Sequence, residues 1–184
     1  VFILGGAKFE TKIPLLKRFI ALADHVIITG AIMNNFYQEA GFPVGKSVVE
    51  KGFSKPIKAL LSNAKLLLPP DCLVARKDTT VAVTPDEVQA NDVIVDIGPQ
   101  SVELIKEKIK HAKLVVWNGP TGWYEKGYTK ATAALAKACI ASKAQTVIGG
   151  GDTGAVVDKV LKGNEGKHIF ISTGGGATLD YLAN

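Results

Sequence analysis

Leu114-Val115-Val116-Trp117 runs directly into Asn118-Gly119-Pro120, and Thr146-Val147-Ile148 runs directly into Gly149-Gly150-Gly151-Asp152. Between them, residues 129–142 read as a helix. An unbroken apolar strand, a helix and a second such strand make a parallel β–α–β unit, because strands buried on both faces lose the polar alternation of a half-exposed sheet. The same alternation extends outward in both directions. Apolar runs at Val1–Leu4, Val26–Ile28, Leu66–Leu68, Val93–Ile97 and Ile169–Ser172 predict further strands. Helices are predicted at Lys12–Ala23, Ile32–Ala40, Pro56–Asn63, Val102–His111, Thr153–Leu161 and Ala177–Leu182. Pro14 fits the first of these because it falls in the first turn. One stretch breaks the rhythm. After Pro69-Pro70, Cys72–Ala75 and Thr80–Val83 alternate around polar Arg76-Lys77-Asp78, as an antiparallel ribbon would. The expected fold is an α/β three-layer sandwich: a mostly parallel, doubly wound, Rossmann-like sheet with a small antiparallel ribbon at its margin. A single domain is expected over residues 1–184.

Composition narrows the function classes. The 184 residues are 47% hydrophobic and 7% aromatic, which suits a Val/Ile/Leu/Ala core. No apolar stretch reaches the roughly 18 residues of a membrane span, so no membrane role is expected. The 22 basic residues are spread along helices rather than interleaved with aromatics, and the net charge is +5. A small anionic ligand suits that balance, and no nucleic-acid partner is expected. Cys72 and Cys139 have no paired spacing and read as small buried hydrophobes of a reducing compartment. His25, His111 and His168 share no metal-ligand spacing. A cytoplasmic location is expected. Val1-Phe2-Ile3-Leu4 opens inside a strand-like run and Leu182-Ala183-Asn184 follows a helical segment, so the chain is expected to be a domain of a longer protein.

The strand endings carry the chemistry. They read Gly5-Gly6-Ala7-Lys8, Thr29-Gly30-Ala31, Pro69-Pro70-Asp71, Gly98-Pro99, Asn118-Gly119-Pro120, Gly149-Gly150-Gly151-Asp152 and Thr173-Gly174-Gly175-Gly176. In an open α/β sheet, ligands bind outside the carboxyl ends of the strands. Glycine there admits an anion to the backbone, and the following helix offers unpaired N–H groups. Lys8 and Lys12, four apart, lie on one face if a helix begins near Lys8, where cations oppose the dipole unless an anion sits above them. Two solvated lysines are the alternative. Asp152 can cap a helix. Beside a phosphate nest it would instead repel the ligand, unless a divalent cation lies between, which points to a magnesium-linked nucleotide. Glu125 can accept bonds from ribose hydroxyls or stand in solvent. There is no Gly-x-x-x-x-Gly-Lys-Ser/Thr loop, and no Gly-x-Gly-x-x-Gly follows the first strand.

Taken in order, Leu4-Gly5-Gly6-Ala7-Lys8-x-x-x-Lys12, Asp96-Ile97-Gly98-Pro99, Val116-Trp117-Asn118-Gly119-Pro120-x-Gly122-x-x-Glu125, Ile148 through Thr153, and Ser172-Thr173-Gly174-Gly175-Gly176-Ala177 resemble the C-terminal, nucleotide-binding half of the phosphoglycerate kinases. That resemblance implies phosphoryl transfer between 1,3-bisphosphoglycerate and ADP, giving 3-phosphoglycerate and ATP. It implies Mg²⁺ with ADP or ATP as cofactor and a monomeric protein. By the same resemblance Lys8 and Lys12 contact the nucleotide phosphates, and Asp152 holds the metal. Gly150, Gly151 and Thr153 form the amide nest, Glu125 meets the ribose, and Gly30, Asn118 and Pro120 line the nucleotide cleft. The groups nearest the transferred phosphoryl are then Lys12, Gly151, Gly174 and Gly175. Neutralising spread-out negative charge is most of what such chemistry needs.

The chain departs from the family at two places that line the adenine pocket. Thr29-Gly30-Ala31 stands for a glycine triplet, and Ile94-Val95 for Gly-Leu. The acid substrate, 3-phosphoglycerate or 1,3-bisphosphoglycerate, is implied to be held by an N-terminal domain outside these 184 residues. The chain alone is therefore expected to bind nucleotide with little or no turnover. A non-catalytic phosphate-binding module with a degraded adenine pocket is the alternative. A dinucleotide-dependent oxidoreductase is disfavoured by the missing fingerprint.

Overall fold

The structure is a computed structural model that describes residues 1–161, 168–174 and 177. Its main sheet has six parallel strands: β1 (Phe2–Leu4), β2 (Val26–Ile28), β3 (Leu66–Leu67), β7 (Leu114–Asn118), β8 (Gln145–Gly149) and β9 (Ile169–Ser172). Every residue of β1 and β2 is buried, as unbroken apolar runs require of strands covered on both faces. The spatial order is β3-β2-β1-β7-β8-β9. The chain therefore builds outward from β1 on one side, then returns to build outward from β7 on the other. β1 and β7 are neighbours, in register from Phe2 with Val116 to Leu4 with Asn118. Between them lies the switch point at which an open sheet leaves a crevice along its carboxyl edge.

Among the described residues, the helices that accompany the strands are α1 (Ile13–Leu22), α2 (Ile32–Glu39), α3 (Ser54–Leu61), α4 (Pro99–His111), α5 (Lys130–Ala141) and α6 (Gly151–Leu161). α1 buries Leu15, Leu16 and Phe19, and the Phe19 ring stacks on Phe2 of β1 with centroids 3.9 Å apart. α2 differs, because Ile32 to Tyr37 are all buried, including the polar pair Asn34 and Asn35. The predicted helix at Ala177–Leu182 lies outside the described residues. Two short 3-10 turns, Pro85–Glu87 and Tyr124–Lys126, carry no periodicity and were not expected.

The antiparallel ribbon forms, as β4 (Cys72–Arg76) and β5 (Thr79–Val83), and it recruits a third strand. β6 (Val93–Ile97) pairs antiparallel with β4, giving a separate sheet of order β5-β4-β6. From its sequence, Val93–Ile97 belongs with the parallel strands. A short apolar run reads alike in either setting, so periodicity could not choose its partner. Arg76 fixes this sheet from beneath by donating two hydrogen bonds to buried Asp92, at 2.9 and 2.7 Å. Cys72 and Cys139 are buried free thiols, as expected. Among the described residues, no helix is long and apolar enough to cross a membrane.

Candidate functional site

Four of the seven strand endings converge on one cleft of about 540 Å³, a volume typical of small-molecule sites. They come from β1, β2, β7 and β8, consecutive along the carboxyl edge apart from their order. Three interstrand spacings separate β2 from β8, which makes the cleft about 14 Å long. Its floor is backbone. The Gly5 amide donates to Asn118 O at 2.7 Å, the Gly6 amide to Pro120 O at 3.1 Å and the Gly30 amide to Thr121 O at 2.9 Å. Gly119 sits at φ +86°, and a Cβ there would strike the carbonyl of Gly5. No residue with a side chain fits that position.

Of the other three endings, two do not take part, and the described residues of the third do not line the cleft. Gly98-Pro99 follows an antiparallel strand and leaves the cleft, which is lined instead by Val93 to Asp96 of β6. Asp71 spends its carboxylate on the N-terminus of α4, accepting from the amides of Gln100 and Ser101 at 2.9 and 2.7 Å, so no anion is needed there. Gly174 is exposed beyond β9 and does not line the cleft, and Gly175 lies outside the described residues.

At the β8 end, Gly150 at φ +101° turns the chain into α6. The Gly154 amide closes the first turn on Gly150 O at 2.9 Å, so the amides of residues 151–153 have no helical acceptor and face outward. Asp152 is exposed in the first turn, one residue past the helix start, and is therefore not the capping residue. Thr153 is fully buried, and its Oγ1 has no hydrogen-bond partner. Among the described residues, no group of three or more His, Cys, Asp or Glu could hold a metal by itself. A single carboxylate beside free amides suits Mg²⁺ that brings phosphate oxygens as its other ligands.

Lys12 and Lys8 close the middle. α1 begins only at Ile13, so the two lysines do not share a helical turn. Lys12 occupies the N-cap position and Lys8 the exposed loop before it, and both line the cleft. The Lys12 ammonium donates to Asn118 Oδ1 at 2.6 Å, and burial lowers its pKa to about 8. Glu125 lines the cleft from the 3-10 turn, exposed. That loop is tied to the second sheet by the Trp123 amide, which donates to Val95 O at 2.8 Å.

The β2 end is apolar, with Met33, Val48 and Ile94. Val48, 63% exposed, stands on a loop held by two side chains of α2. Asn34 Nδ2 donates to Val48 O at 3.0 Å and Asn35 Nδ2 to Glu50 O at 2.7 Å. Asn34 and Asn35 were not singled out from the sequence, and Asp96 stood in a family-matching stretch with no role assigned to it. The available signal was two consecutive polar residues inside an otherwise apolar run of α2, Ile32-Met33-Asn34-Asn35-Phe36-Tyr37. Asp96, 2% exposed, has its carboxyl pushed up to about 6 by burial, partly offset by the nearby Thr121 hydroxyl and the Ile97 amide.

These features define the class: an open-sheet α/β protein with a cleft at the strand switch point. The family model for phosphoglycerate kinase matches residues 1–184. The chain belongs to the phosphoglycerate kinase family. It is 40% identical over 190 residues to the phosphoglycerate kinase of Staphylococcus saprophyticus and 41% identical over 191 residues to that of Clostridium perfringens. Each alignment covers 99% of this chain and 48% of the relative. Among solved structures, phosphoglycerate kinase from Coxiella burnetii superposes with a TM-score of 0.88 at 33% identity, covering 100% of this chain and 49% of that one. The enzyme from Pyrococcus horikoshii superposes at 0.82 and 29% identity, over 99% and 48%. The chain thus spans about half the length of the relatives it matches.

Proposed function

We propose that residues 1–184 are the nucleotide-binding half of a phosphoglycerate kinase and hold Mg-ADP or Mg-ATP in the switch-point cleft. The observation that carries this reading is the polarity gradient along about 14 Å of sheet edge. Free amides and Asp152 occupy one end, two lysines the middle, and Met33, Val48 and Ile94 the other end. A nucleotide has the same gradient. Its phosphates would lie over α6, Lys12 and Lys8, its ribose near Glu125, and its base in the apolar end between Gly30 and Ile94.

In the forward reaction a terminal oxygen of ADP attacks the acyl phosphate of 1,3-bisphosphoglycerate. The P–O bond to the acyl oxygen breaks, and 3-phosphoglycerate leaves as the carboxylate. Mg²⁺, held by Asp152 when the nucleotide is bound, would neutralise charge on the phosphate oxygens. The chain's own residues do the rest. Lys12, anchored on Asn118, sets a positive charge against the phosphates; the amides of Gly151 to Thr153 and the Thr153 hydroxyl donate to them; Pro120 and Gly119 shape the floor. By the family resemblance Gly174, which follows β9, and Gly175 would be the further groups nearest the transferred phosphoryl.

The acid substrate requires groups beyond this chain, so residues 1–184 alone should bind nucleotide without measurable turnover. On this reading the protein is a monomer working in the cytoplasm. Calorimetric titration tests it. Magnesium-dependent ADP binding, lost in Asp152→Ala and weakened in Lys12→Ala, is the expected result. Binding of plain phosphate with no magnesium dependence would favour a non-catalytic anion-binding module. Tight NADH binding would overturn the assignment, and phosphoryl transfer by the chain alone would overturn the expected lack of turnover.

A further inference from the structure

Glu50 is half-buried and does not line the cleft, yet its carboxylate holds the loop that carries both lysines. Glu50 Oε1 accepts the Phe9 amide at 2.7 Å, across 41 residues of sequence. Phe9 follows Lys8 directly, and its carbonyl accepts the amides of Lys12 and Ile13 at 2.9 and 3.2 Å. Phe9 is therefore tied at both ends, its N–H to Glu50 and its C=O to the turn from which Lys12 projects. Its ring is fully buried and tilted against Phe36 and Phe53, with centroids 5.7 and 5.2 Å away.

Glu50 is itself held in place. It lies on the loop between α2 and α3, and Asn35 of α2 grips its backbone twice. Asn35 Nδ2 donates to Glu50 O at 2.7 Å, and Asn35 Oδ1 accepts the Glu50 amide at 3.3 Å. Asn35 is 4% exposed, so water does not compete for these bonds. The arrangement answers a deficit in α1. That helix has a lysine at its N-cap position, no side-chain cap and no acidic residue in its first turn. A helix start favours an acceptor for its free amides and disfavours a cation. Glu50 supplies an acceptor one turn earlier, from a distant loop. The Lys12 ammonium stays with Asn118, and burial, not a neighbouring charge, is what lowers its pKa.

We propose that Glu50 is a positioning residue for the phosphate-binding lysines: by holding the Phe9 amide it fixes the β1–α1 loop in the pose that presents Lys8 and Lys12 to the cleft. The buried ring of Phe9 cannot do this alone, because the peptide plane before it can rotate while the ring stays put. That plane carries the Lys8 carbonyl, which accepts the Thr11 hydroxyl at 3.1 Å. Lysines placed before the phosphates arrive lose less freedom on binding. The effect is confined to the lysine loop. Removing the Glu50 side chain leaves both backbone bonds to Asn35, so Val48, two residues earlier, keeps its place at the apolar end. This role rests on the nucleotide reading above and adds the group that orients its lysines.

The test is calorimetric titration of the 184-residue chain with Mg-ADP and with adenosine, which has base and ribose but no phosphate. Glu50→Ala should weaken Mg-ADP about tenfold and leave adenosine within about twofold. Glu50→Gln keeps a carbonyl acceptor for the Phe9 amide and should bind Mg-ADP within about threefold of wild type. Glu50→Asp, one methylene short of that amide, should behave as Glu50→Ala does. Unchanged Mg-ADP affinity in Glu50→Ala overturns the proposal. So does equal weakening of Mg-ADP and adenosine, which would assign Glu50 to the fold alone. Should neither the Ala nor the Asp variant fold, hydrogen exchange on the wild-type chain decides: a protected Phe9 amide upholds the role and a freely exchanging one overturns it. Failure of Mg-ADP to bind the wild-type chain would overturn the nucleotide reading and this role with it, whereas binding that ignores Glu50 overturns only the role.

Discussion

Lys12 and Asn118 stand 106 residues apart in sequence, yet the Lys12 ammonium donates to Asn118 Oδ1 at 2.6 Å. The bond joins the loop after β1 to the end of β7, across the switch point of the sheet. It fixes a flexible side chain that would otherwise lose rotamer freedom only on binding. Asn118→Leu should therefore weaken Mg-ADP binding about three- to tenfold by calorimetry, a loss of roughly 1 kcal/mol of charge-assisted positioning. Unchanged affinity would mean that Lys12 finds its place without Asn118.

Lys12 also gives the fold a pH dependence. Burial lowers its pKa from 10.5 to about 8, so between those values the unfolded chain binds the proton that the folded chain releases. Stability from this site is at its lowest below pH 8 and rises with pH through that window. Urea melts of the wild type minus those of Lys12→Met should show a difference that moves in the wild type's favour between pH 8 and 10.5. An anion over Lys12 reverses the effect. Mg-ADP binding at pH 8 should take up about half a proton, read from the buffer dependence of the binding enthalpy, and Lys12→Met should abolish the uptake.

Asp96 titrates with the opposite sign. Its carboxyl is raised from 3.8 to about 6, so between those values the folded chain holds the extra proton, and the site's stability is lost as pH rises through the window. Asp96→Asn keeps the acceptor for the Ile97 amide and removes the buried charge. It should stabilise the chain at pH 7 by about 1–3 kcal/mol, with the gain disappearing near pH 4. A destabilised variant at pH 7 would mean that the hydrogen bonds to the Asp96 carboxylate outweigh the cost of burying it.

Gly119→Ala tests the cleft floor. At φ +86°, with Gly5 backbone where the methyl would go, the variant should lose about 3 kcal/mol or more, roughly 6–12 °C of melting temperature at this size. Gly127, also at positive φ but with nothing within 4 Å of its Cβ position, should cost less on the same change. A similar loss at both positions would assign the effect to φ alone.

The six-stranded sheet was legible because its strands are apolar runs, and β1, β2, β7 and β8 each lead into a helix. Lys12, Asn118, Gly150 and Asp152 were legible as a cluster because strand ends of a parallel sheet share one edge, whatever their distance in sequence. The partner of Val93–Ile97 was not legible, since strand pairing is a tertiary choice that a five-residue run does not encode. Nor was the loss of Gly98-Pro99 as an anion site. It depends on Asp71, 27 residues upstream, reaching the start of α4. Asn34 was hidden for a related reason: a buried amide is distinguished only by what faces it, and Val48 O reaches it from a loop.

Because the cleft floor is main chain against main chain at Gly5, Gly30 and Gly119, most point mutations cannot repaint the surface a ligand's middle rests on. Amide and carbonyl groups there are the same whatever the codon, and a methyl added at any of the three would unseat the fold before it altered the chemistry. Evolutionary tuning is thereby driven to the two ends of the crevice, where Asp152 and Met33 stand on separate helices and can drift independently.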